Sequence, residues 1–215
     1  MIDTQRAIRR FRPDPVPDTV LRRVIEAATR APSARGAEPW YFVVVRDPAR
    51  RATIAGYYRR AWDAGAAHTA ATDADRDVAA RGHYARMMSG AAELARDLAT
   101  APVLVACCLD RGQLGPIAPD WVIRSPVAAY ASIFPAVQNL LLAARALGLG
   151  TTLTTLHVGF EAALKTLLDI PPLVDVVTLV PLGYPRDRFG PTRRKALDEV
   201  AFLDGWGTPL RLTDT

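Results

Sequence analysis

Arginine dominates the residues of this sequence that are able to do chemistry. Arg6, Arg9 and Arg10 open the chain, Arg193, Arg194 and Lys195 stand near its end, and a small-residue loop at Ser33 lies between them. A guanidinium presents a planar fork of donors matched to phosphate oxygens, and loop amides add further donors. The pattern points to an anion site for a phosphate-bearing ligand, although either run alone also resembles a solvated surface. Metal and hydrolytic mechanisms find little material. The three histidines, His68, His83 and His157, are scattered, and zinc-type spacing, a GxxxxGK[ST] loop and a GxSxG elbow are all missing. His157 is read as a surface or satisfied polar residue rather than a ligand. Cys107 and Cys108 adjoin in the run PVLVACCLD, where a strand would turn them to opposite faces. They read as small buried hydrophobes rather than a redox pair.

The elements that must position these residues follow from periodicity. Asp18 caps a predicted amphipathic helix carrying Val20, Leu21, Val24, Ile25 and Ala28, with Pro32 beyond its end. Trp40 to Val45 reads as a strand buried on both faces, and Asp47 and Pro48 open a second helix bearing Ile54, Tyr57 and Tyr58. Residues 59–81 show little periodicity and are expected to leave the core as an excursion. Residues 86–99 read as helix, 102–109 as a second buried strand, and 111–126, with Trp121, as a long loop suited to a lid. Residues 127–147 are rich in Ala and Leu nearly all round, which predicts a buried central helix stopped at Gly148. A strand at 151–155, a helix at 160–168, a strand at 175–182 and an irregular basic arm from Pro185 complete the chain.

With 215 residues, half of them hydrophobic, the chain can bury one core, so a single domain over 1–215 of α+β (α/β-like) class is expected. The net charge of +5 and a pI near 9.6 suit an anionic partner. A nucleic-acid reading rests on that pI alone, because no base-stacking aromatic array or recognition-helix motif accompanies it. The opening MIDTQRAIRRF lacks an apolar signal core, and no window approaches the ~20 apolar residues of a membrane span. A soluble cytoplasmic protein without disulfides or bound metal is expected.

Four stretches together resemble the FMN-dependent nitroreductases: RAIRRFRPDPVP, APSARGAEPWYFVVV, PAVQNLLLAARALGLGTTLTT, and IPPLVDVVTLVPLGYP with GPTRRKALDEV. They run in order from about residue 4 to about 207. The resemblance implies the nitroreductase fold, a central mixed sheet flanked by helices with a C-terminal arm exchanged in a homodimer. It implies FMN at the dimer interface and a ping-pong transfer of hydride from NADH or NADPH to a nitroaromatic, quinone or enone. Residue by residue, it implies that Arg6 and Arg9, with Ala7 beside them, contact the FMN phosphate and that Arg193 and Arg194 reach it from the arm. Pro32, Ser33, Ala34 and Gly36 would line the flavin and ribityl chain. Thr154, Thr155 and Leu156 would pass the ring with a backbone N–H near the nitrogen that receives hydride. No side chain is given a catalytic role, because the flavin carries the chemistry.

Two departures stand in the flavin loop: Gly36 where many relatives carry Asn, and Glu38 where many carry Gln. Specialised relatives, such as flavin oxidases, dehalogenases and an enzyme that fragments its own flavin, remain open as an alternative, as does a non-catalytic flavin carrier.

Overall fold

The computed structural model describes residues 1–69, 78–114 and 130–210. Five α-helices are named among them: α1 (Asp18–Ala28), α2 (Pro48–Thr69), α3 (Val78–Asp97), α4 (Ile133–Ala146) and α5 (Glu161–Leu167). Four strands, β1 (Trp40–Val45), β2 (Val103–Asp110), β3 (Gly150–Thr151) and β4 (Val174–Gly183), form one sheet in the order β1-β2-β4-β3. Every ladder is antiparallel. Among the described residues the expected mixed character is confined to an isolated parallel bridge between Ala7 and Thr151.

Helices cover both faces of this sheet, which explains why β2 and β4 read as unbroken apolar runs. Val103, Val105, Cys107 and Leu109 pack with α1 and α4, whereas Leu104, Ala106 and Cys108 pack with α2, α3 and α5. A register shift lies between Cys107, opposite Thr178, and Cys108, opposite Val176, leaving Val177 as the extra residue. The bulge reverses the inward parity of β4, so that Val176 and Leu179 share one core while Val177 and Val180 share the other.

Burial pushes both thiols up, Cys108 to about 12 and Cys107 further. We expect neither to react with a thiol reagent at pH 8 until the chain unfolds, when both should be labelled. Labelling of folded protein on the reagent's intrinsic timescale would contradict this packing.

Several expectations need correction. β1 is an edge strand and is not buried on both faces; Tyr41 is 47% exposed. Asp18 does not cap α1: Pro17 is the N-cap, and the Asp18 carboxylate pairs with Arg46 instead. α2 runs on as helix to Thr69, well into the expected excursion. α4 is buried on one side only, through Ile133, Ala136, Val137, Leu140, Leu141 and Ala144, while Phe134 is exposed. The Trp121 loop lies outside the described residues beyond Leu114. No described helix is long and apolar enough to cross a membrane.

The arm turns back along the first residues of its own chain. Phe11 bridges Pro185, Arg186 N–H donates to Arg10 O at 3.1 Å, and Thr192 N–H donates to Asp3 O at 2.8 Å. Arg145 at the end of α4 secures both partners, donating to Thr4 Oγ1 at 3.2 Å and stacking 3.9 Å above the Phe189 ring. Beyond this return, Leu197, Val200, Leu203 and Trp206 are exposed, Trp206 at 93%.

Candidate functional site

The first and last basic runs meet because the arm doubles back. Arg6, Ala7, Arg9, Arg193 and Arg194 line one cleft of about 760 Å³, together with Pro191, Thr192, Arg86 and Met87. The segment carrying Arg6 to Arg9 is pinned to the sheet by Ile8, which is 3% exposed and whose N–H donates to Thr151 O at 2.8 Å. Alternation along this extended segment turns Ile8 inward and leaves its neighbours facing the cleft. Arg10 turns elsewhere: its guanidinium grips Asp187 with two bonds of 2.6 and 2.9 Å, and this partner raises its pKa.

The charge of the cleft is unbalanced. No Asp or Glu is among the described residues that line it. Burial pushes the Arg9 pKa down and the nearby Arg6 adds repulsion, opposed only by the Tyr58 hydroxyl. A half-buried guanidinium without a carboxylate partner is costly in water-poor surroundings unless an anion arrives. The donor set therefore fits a phosphate monoester. A second cleft, lined by Arg46, Arg51 and Arg186, differs in kind. There Arg51 donates to Ala99 O and Ala101 O, each at 2.6 Å, Arg186 donates to Phe11 O, and Arg46 holds Asp18. Its guanidinium groups already tie elements together.

Tyr58, on α2 and 3% exposed, links the arginines to the segment after β3. Its hydroxyl is 2.9 Å from Thr154 Oγ1, and burial raises its pKa. Thr154 exchanges backbone bonds of 3.0 Å with Leu179, and its carbonyl accepts from Thr178 Oγ1 at 2.9 Å. The Leu156 N–H faces Thr154 Oγ1 at 3.4 Å, and its side chain packs on the core. Of the three residues expected beside the ring, exposed Thr155 alone keeps an N–H without a partner among the described residues.

Pro32, Ser33, Ala34 and Gly36 lie outside the cleft of their own chain. The Ser33 hydroxyl accepts the Glu38 N–H at 3.0 Å, and that of Ser132, 2% exposed at the start of α4, accepts the Ala34 N–H at 3.1 Å. Arg35, Gly36 and Glu38 all have positive φ, 56°, 66° and 47°. Gly36 suits that left-handed conformation; Arg35 and Glu38 are held in it by the bonds around them.

Sequence reasoning missed Arg86, Met87, Thr192, Tyr58 and Ser132. Of the two readings of His157, surface or satisfied polar residue, the surface one fails: the ring is fully buried, with Nε2–H donating to Val176 O at 2.5 Å and Nδ1 without a partner among the described residues. Burial lowers its pKa, so the ring is neutral at pH 7. Among the described residues no group of three His, Cys, Asp or Glu is placed to hold a metal.

A profile of the nitroreductase family matches residues 2–184, and thus covers the first arginine run, the 32–38 loop and all four strands. The chain belongs to the nitroreductase family. Among nitroreductase relatives, NADH dehydrogenase of Thermus thermophilus is 32% identical over 198 residues, covering 91% of this chain and 90% of that protein. The 5,6-dimethylbenzimidazole synthase of Rhodobacter capsulatus is 31% identical, covering 84% and 80%. A Desulfovibrio desulfuricans protein assigned as a nitroreductase and solved in complex with FMN superposes with a TM-score of 0.66 at 25% identity, covering 95% of each chain.

Proposed function

We propose that the chain is an FMN-dependent oxidoreductase that oxidises NADH or NADPH and reduces an electron-poor acceptor such as a nitroaromatic, quinone or enone. The observation that carries this reading is the carboxylate-free cleft in which Arg6, Arg9, Arg193 and Arg194 converge. These arginines hold the FMN phosphate, and Arg9 gains most from it because its burial is otherwise uncompensated. The Thr155 N–H faces the ring, held there by the Thr154 bonds to Leu179, Thr178 and Tyr58. Bound FMN supplies the two-electron chemistry; a donor fixed before reaction stabilises the charge that develops without reorganising.

The protein works as a homodimer. The 32–38 loop carries strained, anchored backbone but does not line its own cleft, so it completes the site of the second copy. The exposed Leu197, Val200, Leu203 and Trp206 beyond the arm's return, with Phe134 on α4, supply apolar surface for that contact.

In this arrangement Gly36→Asn should fold normally, because a Cβ there meets nothing within 4 Å and Asn tolerates the φ of 66°. Its melting temperature should stay within ~2 °C of the parent, and one added hydrogen bond of ~1 kcal/mol should tighten FMN binding about fivefold. Binding weakened or unchanged would place the loop away from flavin.

The deciding experiment is the visible spectrum of protein purified without added flavin, followed by heat release, identification of the chromophore and anaerobic addition of each nucleotide. Released FMN that bleaches with NADH or NADPH is expected, with reoxidation by a quinone. Reoxidation by oxygen alone would favour a specialised oxidase, a reading that the likeness to 5,6-dimethylbenzimidazole synthase keeps in view. A colourless protein that takes up no FMN would overturn the assignment.

A further inference from the structure

The cleft contains more positive charge than one phosphate monoester uses. Four of its guanidinium groups come from the two ends of the chain, and the fifth, Arg86, comes from α3. An FMN phosphate carries about −1.5 to −2 near neutral pH, so the four terminal arginines already exceed it. Arg86 also stands apart along α3. Its Nη1 lies 3.8 Å from the position a Cβ would take on Gly82, whereas Arg9 lies over Gly90, with Cδ at 3.6 Å and Nη1 at 3.7 Å. Those glycines are eight residues apart, about 12 Å along a helix rising ~1.5 Å per residue. The two guanidinium groups therefore lie against different turns of α3, Arg9 toward its C-terminal half and Arg86 toward its N-terminal half.

The surroundings of the two guanidinium groups differ as well. Arg9 is half-buried, as suits a resident cofactor, whereas Arg86 is exposed, has no ion-pair partner among the described residues, and adjoins Met87, which is 41% exposed. An exposed charge beside an exposed thioether in the same cleft suits a ligand that comes and goes.

Resting on the flavin reading above, we propose that Arg86 recognises a phosphate of the reducing dinucleotide and so sets affinity for the hydride donor rather than for FMN. Two phosphates offer the same chemistry, the pyrophosphate common to both dinucleotides and the 2′-phosphate of NADPH alone, and comparing the two dinucleotides separates them.

The test is Arg86→Gln, with Arg86→Lys as the charge-retaining control, in the flavin-loaded protein. FMN affinity is measured by fluorescence titration of the apoprotein. NADP+ and NAD+ affinities are measured by calorimetric titration of the loaded protein, and the reductive half-reaction by anaerobic stopped flow. Arg86→Gln should leave the FMN Kd within twofold and raise the dinucleotide Kd about tenfold, the equivalent of one charge-assisted contact; Arg86→Lys should recover most of it. A loss confined to NADP+ and NADPH assigns the 2′-phosphate, and equal losses assign the pyrophosphate. Weakened FMN with unchanged dinucleotides, or no change in either, overturns the proposal while the flavin reading stands. Parent protein that takes up no FMN defeats both.

Discussion

Replacing Arg6 and Arg9 together by Gln should weaken FMN binding by about 100-fold to 10,000-fold while leaving riboflavin binding nearly unchanged. Each arginine offers charge-assisted bonds worth ~1.5–3 kcal/mol, so the pair contributes ~3–6 kcal/mol, and 1.4 kcal/mol is a factor of ten. Riboflavin lacks the phosphate and so reports on the ring and ribityl contacts alone. The stability of the apoprotein should move the other way. Burial and the neighbouring Arg6 both push the Arg9 pKa down, which means that the folded apoprotein disfavours this charge. Removing it should leave the apoprotein melting temperature unchanged or raise it. The measurements are fluorescence titrations with both flavins and calorimetric melting of both apoproteins. A parallel loss of FMN and riboflavin would show that the cleft does not hold the phosphate, and undiminished FMN binding would move the phosphate elsewhere. Added salt should weaken parent FMN binding more than that of the double variant, because fewer ionic contacts remain to be screened.

The meeting of the two basic runs in one cleft was legible in the sequence because the charge is concentrated. Arg6, Arg9, Arg193 and Arg194 stand in two short basic runs, and the resemblance assigned both to one ligand. Arg86 was not legible for the opposite reason: a lone arginine on a helix such as α3 looks like any solvated residue. Tyr58 read only as an apolar position of α2, since nothing local shows that its hydroxyl meets Thr154 from 96 residues away. The positions of β1, β2 and β4 were recovered from apolar runs, but the strand expected at 151–155 shrinks to Gly150–Thr151 with an isolated bridge at Thr154, and strand direction was not recovered. Continuous burial usually accompanies parallel strands, yet here helices cover both faces of an antiparallel sheet. The bulge at Val177 was hidden because apolar residues occupy both parities of β4. Asp18 shows how a local rule yields to tertiary contact: Pro17 takes the cap and Arg46 takes the carboxylate.

The position of the arginine run also depends on a residue with no chemistry of its own, and Gly150→Ala should damage both fold and flavin binding. A Cβ on Gly150 would lie 2.6 Å from Ile8 Cγ2 and 2.8 Å from Ile8 Cβ. Rotating the Ile8 side chain cannot relieve the contact with its own Cβ, so the backbone must move. That backbone is the segment between Arg6 and Arg9, tied to the sheet through the Ile8 N–H bond to Thr151 O. Overpacking of this kind costs ~1–3 kcal/mol, equivalent to a melting decrease of ~2–12 °C in a chain of this size. FMN affinity should fall by at least tenfold, because a shift of ~1 Å misaligns two charged donors at once. Gly148→Ala is the control: its φ of 77° imposes a backbone cost of ~1–2 kcal/mol, but a Cβ there meets nothing within 4 Å. That variant should be destabilised with unaltered FMN affinity. Adding Ile8→Ala to Gly150→Ala should cost less than the sum of the two single changes, since the Cγ contacts disappear. Comparable stability losses in the two glycine variants with FMN affinity intact in both would show that Ile8 does not position the arginines.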